Sequence, residues 1–423
     1  MSLGITLFVL TLIAIGLPLF AAVGLSAVFQ FFFAGIDPTV VIVELYKIAS
    51  SPTLLAIPLF TLTGYILAES NAPKRLFNLA EAFLGWMPGG VAIVSLVTCA
   101  LFTCFTGASG ITIIAIGGLI YPILKSQKYS ENFSLGLITS SGSLGLLFPP
   151  SLPLIIYGIV ASVSINKLFI AGIIPGIFLI ILLSLYSIKK DVSKSTVKKS
   201  FSIKKVLSAI KETIWELPIP IIILGGIYGG YITAVEASAV TAFYVLIAEF
   251  FIKKDLNFKK DIVRIMRDSV QLVGGILIIL SCSMGLTAFL IDAQIPQAAL
   301  LWMKGVISSK IAFLLLLNIF LLITGALLDI FSAIIIVVPL IVPIATSYGI
   351  NPIHLGIIFL TNLEIGYITP PVGLNLFISS FRFNKPILTL YKISLPFLFI
   401  LLAALIAITY IPGISLFLVN LFN

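Results

Sequence analysis

The sequence predicts an all-α membrane protein folded as an inverted repeat, with two re-entrant helical hairpins and two transmembrane helices broken near their middles. Three observations predict this: the composition, a motif that occurs twice, and the placement of the basic residues. The chain is 60% hydrophobic and 10% charged, with a mean hydropathy of +1.22. That balance suits a bilayer and not a water-soluble core.

The repeated motif is the strongest signal. Thr106-Gly107-Ala108 lies ahead of Gly145-Leu-Leu-Phe-Pro149-Pro150, and Thr324-Gly325-Ala326 lies ahead of Gly366-Tyr-Ile-Thr-Pro370-Pro371. Pro122 precedes Pro149 by 27 residues, and Pro343 precedes Pro370 by 27. Each copy is an apolar segment interrupted by Gly, Pro, Ser and Thr. Paired interruptions at matching places in two halves are the sequence sign of a secondary transporter.

A spanning helix needs ~20 apolar residues. The expected spans are 2–18, 19–35, 54–70, 132–158, 168–188, 214–230, 232–252, 269–291, 353–380 and 388–418. The first is read as a retained helix, because no Lys or Arg precedes Lys47 to form a signal-peptide n-region. Two further stretches, 90–124 and 309–346, are long enough to enter and return. With these spans, 21 of the 25 basic residues fall in loops on one side, which the positive-inside rule makes cytoplasmic. Lys47, Lys167, Lys304 and Lys310 fall on the other. Both termini are then periplasmic, and 90–124 and 309–346 must be re-entrant hairpins, one from each face. Equivalent spans in the halves start from opposite sides, so the repeat is inverted.

The net charge of +9 is thus a topology signal and not a nucleic-acid footprint. Cys99, Cys104 and Cys282 sit in apolar segments without a CxxC pair, which indicates neither a disulfide framework nor a zinc site. His354 is the single histidine, at the outer end of a span, and is read as structural. No phosphate-binding Gly-x4-Gly-Lys-Ser/Thr loop is present, so the chain does not itself hydrolyse ATP.

A helix broken in lipid exposes backbone groups that cost several kcal/mol each, so a break survives only where protein or a cavity covers it. Broken ends then offer N–H groups to anions and carbonyls to small cations. At the first tip, Thr106, Gly107, Ala108, Ser109 and Gly110 lie near Ser140, Ser141, Ser143 and the Pro149-Pro150-Ser151 turn. In the second half, Thr324, Gly325 and Asp329 face Asn362, Glu364, Gly366 and Thr369, with Asn375 beyond. Asp329 and Glu364 are intramembrane carboxylates, functional by default. Asp329 could equally cap the helix after the tip. Glu236 is read as structural, because Thr233-Ala-Val-Glu236 has the form of a capping box.

These residues resemble one family. Leu55-Ala-Ile-Pro-Leu-Phe60, Gly107-Ala-Ser109, Phe148-Pro-Pro-Ser-Leu-Pro-Leu-Ile-Ile-Tyr-Gly158, Lys167-Leu-Phe-Ile-Ala-Gly-Ile-Ile-Pro-Gly176 and Gly225-Gly-Ile-Tyr-Gly229 carry the match. Ile295-Pro-Gln297 and Asn362-Leu-Glu-Ile-Gly-Tyr-Ile-Thr-Pro-Pro-Val-Gly-Leu-Asn-Leu-Phe377 complete it. The chain is similar to the large membrane (permease) subunit of tripartite ATP-independent periplasmic (TRAP) transporters along nearly its whole length. It departs at Thr233-Ala-Val-Glu236 and at Ser332, where members commonly carry a proline.

The resemblance implies an inverted-repeat elevator-type transporter in the bacterial inner membrane, and not an enzyme. Its substrate would be a small organic anion, such as a C4-dicarboxylate or a sialic acid. Its partners would be a small four-helix membrane subunit and a periplasmic substrate-binding protein, and its coupling ion Na+, with no organic cofactor. One sodium site would comprise Thr106, Gly107, Ala108, Ser109, Ser143 and Pro149. The other would comprise Thr324, Gly325, Asp329, Gly366 and Thr369. Substrate would lie between the tips, near Ser109, Ser141, Ser151, Asn362 and Asn375.

The chain then divides into scaffold helices over 1–72 and an arm helix, hairpin, broken helix and following helix over 73–188. A basic cytoplasmic linker follows over 189–213, then scaffold over 214–292 and a second arm, hairpin, broken helix and last helix over 293–423. Lys74–Trp86 and Ile295–Lys304 are the arm helices, or ordinary interfacial helices. Rival readings are a sodium/carboxylate symporter working without a binding protein, a channel and an intramembrane enzyme. The charged residues avoid the spans, which argues against a pore, and Asp329 and Glu364 have no matching pair in the first half.

Overall fold

The computed structural model describes residues 11–12, 16–190, 201–307 and 309–422. Among them are helices and no strands. Of the expected spans, 2–18 lies largely outside the described residues.

The first half runs α1 (Leu19–Phe33), α2 (Thr39–Ala49), α3 (Ala56–Glu69) and α4 (Ala72–Leu84). Then come α5 (Gly90–Thr106) and α6 (Ser109–Ser126), α7 (Glu131–Ser141) and α8 (Leu152–Val160), and α9 (Ile165–Lys190). After α10 (Ile203–Glu212) the second half runs α11 (Pro218–Tyr228), α12 (Ala234–Ile252), α13 (Phe258–Asp292) and α14 (Ile295–Val306). It continues with α15 (Lys310–Leu327) and α16 (Ile330–Ser347), α17 (Pro352–Gly366) and α18 (Leu374–Phe383), α19 (Ile387–Tyr410) and α20 (Gly413–Leu421). The pairs α5–α6 and α15–α16 are the two hairpins, and α7–α8 and α17–α18 are the two broken spans. Among the described residues eight helices are long and apolar enough to cross a membrane, and the α7–α8 pair, bent by 46°, makes a ninth.

Local chemistry sets these boundaries. The Ser130, Asn257 and Asn351 side chains accept backbone N–H groups at the starts of α7, α13 and α17. At α12 the expected capping box forms: Thr233 N–H donates to the Glu236 carboxylate at 2.7 Å, and Glu236 N–H donates to Thr233 Oγ1 at 3.2 Å. His354 is buried, with its ring nitrogens 2.6 Å from Ser415 Oγ and 3.2 Å from the Thr409 carbonyl, which is the structural role expected of it.

Three expectations need correction. The span expected over 388–418 is two helices, because Pro412 has no N–H to continue the first. The basic residues expected in a loop between the spans 232–252 and 269–291 are not all in a loop. From Phe258 the chain belongs to α13, a 35-residue helix about 50 Å long. The basic stretch ahead of Thr213 contains α10, whose apolar residues recur at helical spacing.

One arginine ties α4 to the second half. Arg75 reaches Glu249 at 2.8 Å and contacts Glu216 and Asp255. Asn71 N–H donates to Asp255 at 3.1 Å. Against the pull of burial, the three carboxylates raise the Arg75 pKa above its ordinary value. Burial opposes charge on Asp255 too, yet the Arg75 guanidinium and the Asn71 N–H hold its carboxyl below the ordinary 3.8. Breaking such a buried set from one side is costly, because it strands the remaining charges.

Candidate functional site

At the first hairpin tip, α5 stops on Gly107 with φ +64°, a conformation that favours glycine. A Cβ there would lie 2.5 Å from the Leu152 side chain. Ala108 is extended, and α6 begins at Ser109. Thr103 donates to the Gly142 carbonyl at 2.8 Å, and its hydroxyl lies 2.7 Å from that of Thr112. One side chain thus ties both hairpin legs to the broken span. The Ser151 hydroxyl donates to the Leu146 carbonyl and accepts Leu154 N–H, so groups freed by the break find partners inside the protein.

The second tip is built differently. Asp329 caps α16: one carboxylate oxygen accepts the Phe331 and Ser332 N–H groups at 3.0 Å each, and the other accepts the Ser332 hydroxyl. Ile330 N–H donates to the Tyr367 hydroxyl at 2.8 Å. Gly373 N–H donates to the Ala326 carbonyl at 3.1 Å, which ties the second break to the second tip. The Thr324 and Thr369 hydroxyls donate to carbonyls of their own helices, at Phe320 and Ile365.

The two breaks are also tied to each other. The Asn375 amide donates to the Thr139 carbonyl at 3.2 Å and to Ser143 Oγ at 3.4 Å. Ser143 in turn donates to the Glu364 carbonyl at 3.4 Å. Around this crossing Ser140 Oγ, Asn375 Oδ1 and both carboxyl oxygens of Glu364 are buried without a protein partner. The unpartnered atoms there are all oxygens. Asn362 lies elsewhere, bonded to Asn318, which also bonds Thr409.

Both tips open onto one cavity of about 410 Å³. Gly107, Ala108, Ser109 and Gly110 line it from the first tip, and Asp329, Ile330 and Phe331 from the second. Tyr65 of α3 and Leu272 of α13 contribute, as do Tyr367 and Ile378. Of the expected substrate contacts, Ser109 lines this space. Ser141, Ser151, Asn362 and Asn375 are buried in the helix packing and do not line it. Tyr65 and Leu272 carried no sequence signal: an aromatic and a leucine in apolar spans look like any lipid-facing pair.

The model of the tripartite ATP-independent periplasmic transporter DctM component matches residues 5–414. The chain belongs to this TRAP family. It is 37% identical over 379 residues to the C4-dicarboxylate TRAP transporter large permease protein DctM of Pseudomonas aeruginosa, covering 89% of this chain and 88% of that protein. It is 35% identical over 412 residues to the isethionate TRAP transporter permease protein DctMQ of Oleidesulfovibrio alaskensis. That match covers 96% of this chain but 64% of the longer relative. The sialic acid TRAP transporter large permease protein SiaM of Vibrio cholerae is 32% identical over 375 residues, covering 88% of this chain and 87% of that protein. The crystal structure of the Alcanivorax borkumensis YdaH transporter matches with a TM-score of 0.63 and 14% identity, covering 89% and 87% of the two chains, which speaks to the fold alone. The TRAP large subunit described here is accordingly a multi-pass transporter permease and not an enzyme. Membership also implies a small membrane subunit and a periplasmic binding protein as partners.

Proposed function

We propose that this TRAP large subunit imports a C4-dicarboxylate or similar small organic anion across the inner membrane, coupled to sodium and by an elevator motion. The observation that carries the reading is the cavity shared by the two tips and the flanking helices α3 and α13. A substrate held there by the two tips would travel with the hairpins past α3 and α13, which is how an elevator carries its cargo. Both termini face the periplasm, where a binding protein delivers the substrate.

The residues present fit sodium. Each break offers carbonyl and hydroxyl oxygens, and buried oxygens lie unpartnered beside the crossing of the breaks. Thr106, Gly107, Ala108, Ser109, Ser143 and Pro149 would hold one ion, and Thr324, Gly325, Asp329, Gly366 and Thr369 the other. In the second set Thr324 and Thr369 keep oxygen lone pairs free while their protons go to their own helices, so backbone carbonyls supply most of that site. Bound sodium supplies positive charge for the anion, and the chain's own residues fix where that charge sits.

The test is uptake by the reconstituted complex with its small subunit and binding protein. An inward sodium gradient should drive labelled succinate uptake without ATP. Full uptake in sodium-free buffer under a proton gradient alone would refute the coupling. Absence of succinate binding by the cognate binding protein, in a thermal-shift screen that finds another anion, would refute the substrate class.

A further inference from the structure

One guanidinium lies next to two residues that line the inter-tip cavity. Arg382 lies near the end of α18, one helical turn beyond Ile378, which lines the cavity. Residues four apart share a helix face. Its Nε donates to the carbonyl of Ile114 at 3.2 Å, and Ile114 lines the cavity from α6. Its outer nitrogen rests over Gly118, where a Cβ would fall 2.3 Å away. A Cβ there would push aside the guanidinium, the free end of a flexible and exposed side chain.

The charges around it are not equivalent. The nearby Lys385 is spent on Glu131 at 2.7 Å, and Glu131 also accepts from Tyr121 at 2.9 Å. Among the described residues no carboxylate lies within ion-pair distance of Arg382, and the side chain is exposed. A guanidinium has five donors, and the carbonyl of Ile114 takes one. The fork that remains matches a carboxylate in geometry and charge. Asp329, the acidic residue on the cavity wall, accepts the capping bonds of α16 and makes no ion pair with Arg382.

We propose that Arg382, positioned by the Ile114 carbonyl, forms an anion subsite at the edge of the cavity that takes a carboxylate of the transported substrate. This rests on the reading of the cargo as an organic anion. In the inward state it draws the anion off the tips toward the side that carries most of the basic residues.

The test measures the field at the cavity directly. Ile378→Cys is placed in a background lacking Cys99, Cys104 and Cys282, and the large and small subunits are reconstituted together. Its rates of modification by the anionic sulfonatoethyl and the cationic trimethylammonioethyl methanethiosulfonates are compared. Arg382→Gln should lower the anionic-to-cationic rate ratio by about threefold or more, as loss of one charge within a screening length requires. Arg382→Lys, which keeps the charge, should keep most of the ratio. An unchanged ratio in Arg382→Gln overturns the proposal. Saturating succinate should slow modification when Arg382 is present and much less in Arg382→Gln. Equal protection in both also overturns the subsite. If the ratio falls as stated but succinate protects neither protein, the subsite stands and the C4-dicarboxylate reading fails.

Discussion

Gly366 lies so close to Gly325 that a Cβ on Gly366 would sit 2.5 Å from the Gly325 carbonyl carbon and 2.6 Å from its Cα. Backbone meets backbone there, so no flexible side-chain end can give way. The contact sets the second tip against the second broken span and needs hydrogen at Gly366, while a Cβ on Gly325 would meet the Leu363 Cα at 2.8 Å. Gly366→Ala should therefore destabilise the protein by about 1–3 kcal/mol through overpacking and depress uptake at least as severely as any tip substitution. Gly274→Ala is the control, because a Cβ there meets nothing within 4 Å. Thermal unfolding of both variants in detergent decides the point. A Gly366→Ala protein as stable as Gly274→Ala would mean that tip and break are not held this closely.

Ser109 begins α6 on the cavity wall, and Thr369 stands just ahead of the second double proline. If they border the two sodium sites, Ser109→Ala and Thr369→Ala should each raise the sodium concentration for half-maximal uptake. A lost contact of roughly 1–3 kcal/mol corresponds to roughly 5–150-fold in affinity. Binding-protein affinity for substrate should not change. Uptake titrated with sodium in proteoliposomes provides the measurement. Wild-type sodium dependence in both variants would place the ions elsewhere.

The Arg75 cluster predicts a pH dependence. In the folded protein Asp255 titrates below its ordinary value of 3.8. A carboxyl with a depressed folded pKa binds protons less readily folded than unfolded. Its stabilisation is therefore complete above the unfolded value and is lost as pH falls through that value to the lower folded one. Asp255→Asn should lower the melting temperature at neutral pH, and the gap to wild type should shrink once pH drops below about 4. Arg75→Ala should cost more, about 3–5 kcal/mol, because it strands Glu216 and Glu249 in a buried place. Melting curves across pH in detergent check both. A gap that widens on acidification would contradict the sign.

What was legible follows from what is local. The tips, the breaks and the Thr233–Glu236 box are short-range chemistry: a glycine that must turn, a double proline that cannot continue a helix, a hydroxyl that caps. Each leaves its signature within a few residues. The Arg75 cluster left none, because its carboxylates lie 141 to 180 residues away in sequence. The same holds for the Asn318, Asn362 and Thr409 network, which three distant helices assemble. Hydropathy also misjudged ends. The basic residues at the start of α13 looked like loop because charge ends a span, yet charge does not end a helix.

The two tips predict a reversible change of sidedness. Ala108 and Ala326 occupy matching places after Thr-Gly in the two hairpins, and the hairpins enter from opposite faces under the inverted repeat. Single cysteines at these positions, in a background lacking Cys99, Cys104 and Cys282, should report which face each tip meets. An impermeant thiol reagent applied outside should label position 326 much more than 108 in the outward state. From the cytoplasmic side in the inward state the preference should reverse. Thr233→Cys, at the start of α12, should keep one sidedness throughout if α12 belongs to the scaffold, as the proposed elevator requires. The buried state of Ala326 in this structure, 3% exposed, sets the baseline against which its outward labelling must rise. If both tips label from one side under all conditions, the hairpins do not alternate and a channel becomes the better account.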